Sequence, residues 1–272
     1  DKGHRLMYFN SVKVINQKYC LLVFLLAGVL LSGCANNGSQ ASPQRLDNFN
    51  GFNQHVNLAK QYVAINNRDL ARIHLGKAEK FTVKQYQKSQ LYNAYALLYQ
   101  SESEFRLAEE NYRKGIKSNP KDSTVRYNFG SFLFSQKQYQ KSMDEMLIVS
   151  SDLNYPRRPQ AFYFVGMSQE RLGDYAAAVQ AFKKTISLSP QFLIGYLQLS
   201  KIYFLQKQYQ SAQAALKYYM ANNTEPTAEN FWLLIQINLA LGEMDSVKDS
   251  GRSLIRLFPA SPEAQQFTQL TQ

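Results

Sequence analysis

Residues 159–192 read PQAFYFVGMSQERLGDYAAAVQAFKKTISLSPQF, and this stretch decides the fold. Two segments with apolar residues at helical spacing flank the short turn Leu172-Gly173-Asp174, and Pro190 follows the second segment. Gly173 suits a turn because glycine adopts left-handed backbone angles without steric strain. Pro190 lacks the amide hydrogen that a further helical turn would need. The stretch therefore predicts two helices joined by a tight turn.

The same pattern recurs along the chain with a period of about 34 residues, which is typical of a helical solenoid. Residues 136–140 and 206–210 both read QKQYQ, and Pro120, Pro190 and Pro259 are spaced by 70 and 69 residues. We predict six copies, at residues 52–85, 89–122, 123–156, 159–192, 193–226 and 228–261. In the first copy we predict the turn at Asn66-Asn67, because asparagine tolerates the left-handed conformation nearly as well as glycine.

These copies resemble the tetratricopeptide repeat (TPR). The small residues Gly166 and Ala178 stand where the two helices of a repeat approach closely, and Tyr175 and Phe182 stand where large side chains fill the space between helix pairs. The resemblance implies an all-α fold, a TPR superhelical solenoid of about six helix-turn-helix repeats. Six repeats are enough to bury their shared faces against one another.

A second feature precedes the repeats. After Met7, where we expect translation to start, two lysines come before an apolar run from Tyr19 to Leu31. As a helix this run would span about 20 Å, which is short of the roughly 30 Å of bilayer hydrocarbon. A basic start, a short apolar core and small residues at its end are typical of an export signal.

Residues 31–34, Leu-Ser-Gly-Cys, resemble the bacterial lipobox. The resemblance implies that Cys34 is acylated and that the signal is cleaved before it. Because the next residue is Ala35 and not aspartate, the resemblance also implies transfer to the outer membrane, with the chain facing the periplasm. The alternative is that Cys34 is an ordinary thiol at the end of a signal anchor. Several acyl chains would hold the protein firmly, whereas one chain is a marginal anchor.

The chain is thus predicted to have four parts. Residues 1–33 comprise upstream residues and the lipoprotein signal peptide. Residues 34–51 are the acylated cysteine and a flexible tether rich in Asn, Gly, Ser and Gln. Residues 52–261 hold the six repeats, and residues 262–272 form a C-terminal tail.

The sequence offers little chemistry for catalysis. Beyond the signal the histidines are His55 and His74, which could lie near each other but lack a cysteine or acidic cluster, so we expect surface residues. No glycine-rich phosphate loop is present. We expect neither an enzyme nor a cofactor, metal or small-molecule substrate; an enzyme with accessory repeats, the alternative, would need a catalytic segment outside them.

The net charge of +11 favours binding to an anionic membrane face, an acidic partner or nucleic acid. The alternative is that the charge serves solubility alone. Export would exclude nucleic acid.

The inner wall of a TPR solenoid comes from the first helix of each repeat. The resemblance therefore implies a groove, whose mixture of aromatic, aliphatic and amide side chains suits an amphipathic helix or an extended peptide. Alternatively, some of these residues pack under a neighbouring helix or the tail. The predicted groove residues are Asn93, Leu97, Tyr127, Phe134, Tyr163, Met167, Arg171, Leu197, Lys201, Phe204, Trp232 and Gln236.

Lipobox, tether and six TPRs in this order resemble the type IV pilus biogenesis/stability lipoproteins, the secretin pilotins of the PilF/PilW type. The resemblance implies a protein that binds secretin subunits in the periplasm and promotes their outer-membrane localisation and multimerisation. The alternative is an outer-membrane TPR adaptor for β-barrel assembly or for peptidoglycan enzymes.

Overall fold

The computed structural model describes residues 43–81 and 84–271, with side chains from residue 48 onward. The predicted signal peptide and Cys34 lie outside these residues. All regular structure in the described part is helical, as predicted. The thirteen helices are α1 (Pro43–Ala64), α2 (Arg68–Ala78), α3 (Gln85–Ser101), α4 (Phe105–Ser118), α5 (Ser123–Ser135), α6 (Tyr139–Ser151), α7 (Arg158–Arg171), α8 (Tyr175–Leu188), α9 (Leu193–Leu205), α10 (Tyr209–Asn222), α11 (Ala228–Leu241), α12 (Met244–Leu257) and α13 (Pro262–Leu270).

Residues 47–272 form one compact unit, in which α1 to α12 pair as six helical hairpins. Within each hairpin from α3 onward the two helices pack along their length, and each hairpin packs on the next one. The first hairpin is held by a cluster that includes Phe52, Val56 and Leu75. The six helical hairpins agree with the predicted TPR solenoid of about six repeats. Along the described residues, no helix combines the length and apolarity that crossing a bilayer requires.

One residue in the turn of each hairpin has a left-handed backbone, with φ between +58° and +85°. The amide of the next residue donates to the carbonyl five positions back, as in Gln208 N to Tyr203 O at 2.8 Å and Asp174 N to Gln169 O at 2.9 Å. This bond ends the first helix of every repeat in the same way. The six left-handed residues are Asn66, Ser103, Lys137, Gly173, Lys207 and Gly242.

The close approach of paired helices depends on small residues, as predicted. A Cβ on Gly166 would lie 2.8 Å from Cε1 of Phe182, which is fully buried, as is Ala178. Tyr175 does not fill the space between helix pairs as expected. It opens α8 directly after the turn, and 38% of its surface remains exposed.

Both ends of the repeat region differ from the prediction. Helix α1 begins at Pro43, so residues 43–51 are helical and not tether. The helix begins before residue 52, and Phe52 and Val56, one turn apart, anchor it in the core. The predicted tail is helix α13, which starts with Ser261 Oγ accepting from Ala264 N at 3.1 Å and buries Phe267 on the last hairpin.

The two histidines of the first hairpin form a pair that joins α1 to α2. His55 Nδ1 and His74 Nδ1 lie 3.0 Å apart, both rings are half-buried, and His74 stacks on Tyr62 with centroids 5.4 Å apart. They are thus neither fully exposed nor independent. Burial, together with the neighbouring His74 and Lys77, lowers the pKa of His55. Among the described residues no group of three or more potential metal ligands is found.

Lys207→Gly is expected to stabilise the protein by about 0.5–1 kcal/mol. Lys207 has a left-handed backbone, in which its Cβ atom is strained, and glycine has no Cβ. Lys217→Gly, in the interior of α10, is the matched control and should destabilise it by about 1 kcal/mol. Chemical denaturation measures both free energies of unfolding. A loss of stability in Lys207→Gly would contradict the role assigned to the turn.

The histidine pair predicts a pH dependence. Because the folded-state pKa of His55 lies below its unfolded value, neutral His55 contributes stability above about pH 6.5, and this is lost as the pH falls through the folded pKa. The loss should be small, because both rings are only half-buried and solvent screens the interaction. His74→Phe keeps the stacked ring and should narrow the difference in melting temperature between pH 7.5 and pH 5.5. An unchanged difference would show that His74 does not affect the titration of His55.

Candidate protein-binding groove

An unbroken series of aromatic contacts runs across α5 and α7, the first helices of repeats three and four. The Phe164 ring lies at its centre, with centroids 5.9 Å from Tyr127, 5.5 Å from Phe134 and 6.1 Å from Tyr163, each in edge-to-face geometry. We call these four residues the aromatic strip. All four are half-buried, so their rings pack on one another and still present surface.

Further rings hold the strip from the second helices and the loops. Tyr155 lies 6.0 Å from Tyr127, Tyr139 lies 5.3 Å from Phe134, and Phe192 lies 5.2 Å from Tyr163 between ring centroids. Aromatic pairs of this kind contribute about 0.5–1.5 kcal/mol each beyond burial. The strip is therefore held in place before any ligand arrives, which lowers the entropic cost of binding.

Polar groups lie beside the strip. The Arg157 guanidinium stands 5.4 Å from the Tyr127 ring centroid, and burial raises the pKa of the Tyr127 hydroxyl, which stays protonated at neutral pH. On α7, burial also raises the pKa of the Glu170 carboxyl. The positive charges of Arg171 and Lys201 offset part of this rise. Near Tyr163, two cations, Arg171 and Lys201, thus act on the partly desolvated carboxyl group of Glu170.

Four buried side-chain atoms on α7 have no hydrogen-bond partner among the described residues. They are Gln160 Oε1, Ser168 Oγ, Gln169 Oε1 and Glu170 Oε2. Gln160 and Glu170 occupy positions that the TPR resemblance assigns to the groove. Because buried polar atoms are nearly always paired, these two acceptors favour a ligand or water that brings donors to α7.

A pocket of about 450 Å³ continues the groove between α9, α10 and α11. Lys201 lies in its wall opposite Glu229 on the next first helix. The pocket is lined by Leu197, Lys201, Tyr219, Thr227, Glu229, Asn230 and Leu233. This wall contains both polar and apolar side chains, which suits a peptide of mixed character.

The structure separates the predicted groove residues into three groups. Asn93 and Leu197 are only 2% and 6% exposed, although Leu197 also lines the pocket between α9, α10 and α11. Arg171 and Lys201 are exposed. The others are half-buried and remain candidates: Leu97, Tyr127, Phe134, Tyr163, Met167, Phe204, Trp232 and Gln236.

The two buried residues also make contacts between repeats. Asn93 Oδ1 accepts from Asn128 Nδ2 at 3.0 Å, a bond that ties the first helix of repeat two to that of repeat three. Leu197 packs with Leu216 and Ile237. Sequence reasoning also missed Phe164, the centre of the strip, because it lies one position beyond the groove residue Tyr163. Its signal was the run of three aromatic residues at 162–164.

Comparison with known proteins bears on both the fold and the relatives of this chain. The tetratricopeptide repeat family matches residues 89–122 and 159–192. The type IV pilus assembly protein PilF of Pseudomonas aeruginosa is 29% identical over 250 residues, which covers 90% of this chain and 96% of PilF.

Solved structures agree with the sequence match. The structure of Pseudomonas aeruginosa PilF superposes with a TM-score of 0.71 at 25% identity and covers 82% of this chain and 99% of PilF. PilW, a type IV pilus biogenesis factor, shares the fold with a TM-score of 0.66 at 23% identity, covering 79% of this chain and 97% of PilW. The chain thus contains tetratricopeptide repeats and is similar in sequence and fold to the type IV pilus assembly protein PilF along most of its length.

Proposed function

We propose that this chain acts in type IV pilus biogenesis, as an outer-membrane lipoprotein whose groove binds secretin subunits and promotes their multimerisation. The observation that carries the proposal is the match to PilF, a type IV pilus assembly protein, along nearly the whole of both chains. Agreement over the full set of repeats favours a shared role more than agreement over one repeat would.

The aromatic strip supports the binding half of the proposal. Tyrosine is enriched among the residues that dominate binding energy when buried in an interface, and here Tyr127 and Tyr163 are already fixed by neighbouring rings. The unpaired acceptors of Gln160 and Glu170 would receive backbone or side-chain donors of the bound segment. An amphipathic helix or an extended segment of the secretin meets both requirements.

The lipobox supports the anchoring half. Acylated Cys34 would hold the groove at the outer membrane, and residues 35–42 would separate the anchor from α1. A secretin subunit bound in the groove would then be concentrated at the membrane where it inserts. Binding and delivery together need no catalytic step.

Tyr163→Ala tests the groove, with Tyr175→Ala on the neighbouring helix α8 as the matched control. Removing Tyr163 should weaken binding of a purified secretin subunit about tenfold or more, because a central aromatic contact is lost. Tyr175→Ala should leave the affinity unchanged. Calorimetric titration measures affinity, and the melting temperature of each variant shows that the fold is retained. Equal affinities for both variants would contradict binding at the strip.

Cys34→Ala tests the anchor, with Cys20→Ala as the control. We expect fewer secretin multimers in isolated outer membranes of the Cys34→Ala strain and normal amounts in the Cys20→Ala strain. Undiminished multimers would refute the anchoring half. If the wild-type protein instead co-purifies with barrel-assembly subunits or peptidoglycan hydrolases and without secretin, the adaptor role is the correct one.

A further inference from the structure

Two adjacent residues on the second helix of each repeat, ten and eleven positions after the left-handed turn residue, form a column on the outer side of the solenoid. Equivalent positions of a solenoid face the same side in successive repeats. In repeats two to five all eight of these residues are exposed. They are Arg113-Lys114, Leu147-Ile148, Lys183-Lys184 and Lys217-Tyr218.

Repeat three is the exception in this column. Leu147 and Ile148 are 45% and 48% exposed at the place where the neighbouring repeats carry cations. Their neighbours in sequence, Met146 and Val149, fill the core side of α6 and are fully buried. The leucine and isoleucine therefore face away from the protein, and the core offers them no place.

The cations on one side of this apolar pair are not neutralised by their own helices. Helices α8 and α10 contain no aspartate or glutamate, so Lys183, Lys184 and Lys217 have no acidic neighbour along the helix. In repeat two, by contrast, Arg113 and Lys114 each lie 2.7 Å from a glutamate one turn earlier. Asp144, one turn before Ile148, accepts a hydrogen bond from Gln140 at 3.0 Å.

We propose that an outer face made of Leu147, Ile148, Lys183, Lys184, Lys217 and Tyr218 docks on a bilayer of anionic phospholipid. Apolar side chains flanked by cations and a tyrosine are what an anionic interface accepts: the apolar groups enter the acyl boundary, the tyrosine sits at the headgroups, and the lysines contact phosphate. A bilayer tolerates this arrangement without a matched concave surface, whereas a protein partner would need one.

This docking would turn the groove, on the first helices, away from the membrane and towards a soluble partner. The inference does not rest on the proposed partner, since it concerns the opposite face of the repeats. Each lysine near the surface is expected to strengthen adsorption about fivefold, and salt should weaken it.

Lysine footprinting of the full chain tests the proposal directly. The protein is reconstituted in vesicles of phosphatidylethanolamine and phosphatidylglycerol, or of phosphatidylcholine alone, and acetylation rates are read by mass spectrometry. On the anionic vesicles, Lys183 and Lys184 should be acetylated at least about fivefold more slowly, with recovery at high salt. Lys137 and Lys207, in the turns, should react equally on both. Equal rates for Lys183 and Lys184 would overturn the proposal, as would protection that appears only after a membrane-protein extract is added.

A double variant tests the apolar part. Leu147→Ser with Ile148→Ser should abolish most of the lysine protection on anionic vesicles. The control is Ile65→Ser with Ile73→Ser, two apolar residues of the first repeat that are more exposed than Leu147 and Ile148, and this variant should keep the protection. Circular dichroism confirms that both variants are folded. Full protection in the Leu147/Ile148 variant would overturn the assignment of this face.

Discussion

The left-handed residue in each turn is the constraint on which the rest of this structure depends. It reverses the chain in one step and lets the next amide bond to the carbonyl five residues back, so every first helix ends in the same way. Because the six turns share one register, first helices line up on one side of the solenoid and second helices on the other. The groove and the outer face are therefore both consequences of the turn geometry.

Close helix packing then decides which side chains are left to bind. Glycine at position 166 lets α7 approach Phe182, while the larger rings of α5 and α7 are displaced towards the groove and meet at Phe164. The aromatic strip thus stabilises the contact between repeats three and four and also presents a rigid surface. A residue in such a strip serves structure and recognition together, which is why binding variants need a stability control.

Much of the fold could be predicted from sequence because the repeat signals are local. The residue types of Gly173 and Asn66 predicted turns at these positions, and both residues have a left-handed backbone in the structure. Lys137 and Lys207 gave no such signal, since the hydrogen bond after the turn and the packing of the hairpin impose the strained backbone on an ordinary residue. Helix α13 could have been foreseen from Ser261-Pro262, a favourable start for a helix.

The groove was harder to predict. A list of repeat positions cannot tell which residues also contact the adjacent repeat, as Asn93 does by a hydrogen bond to Asn128 and Leu197 does by packing on Ile237. The distinction depends on the neighbouring repeat's own side chains, which differ from copy to copy. For the same reason Phe164 was missed, because its position becomes part of the strip only through its contacts with Tyr127 and Phe134.

The central claim is that the aromatic strip on the first helices is where a secretin subunit binds. Site-specific photocrosslinking in cells tests it most directly, with a photoreactive phenylalanine in place of Phe134 and, as the comparison, in place of Tyr175 on the second helix of repeat four. The claim predicts a secretin adduct from position 134 and none from position 175. An adduct from position 175 alone, or none from position 134, would contradict it.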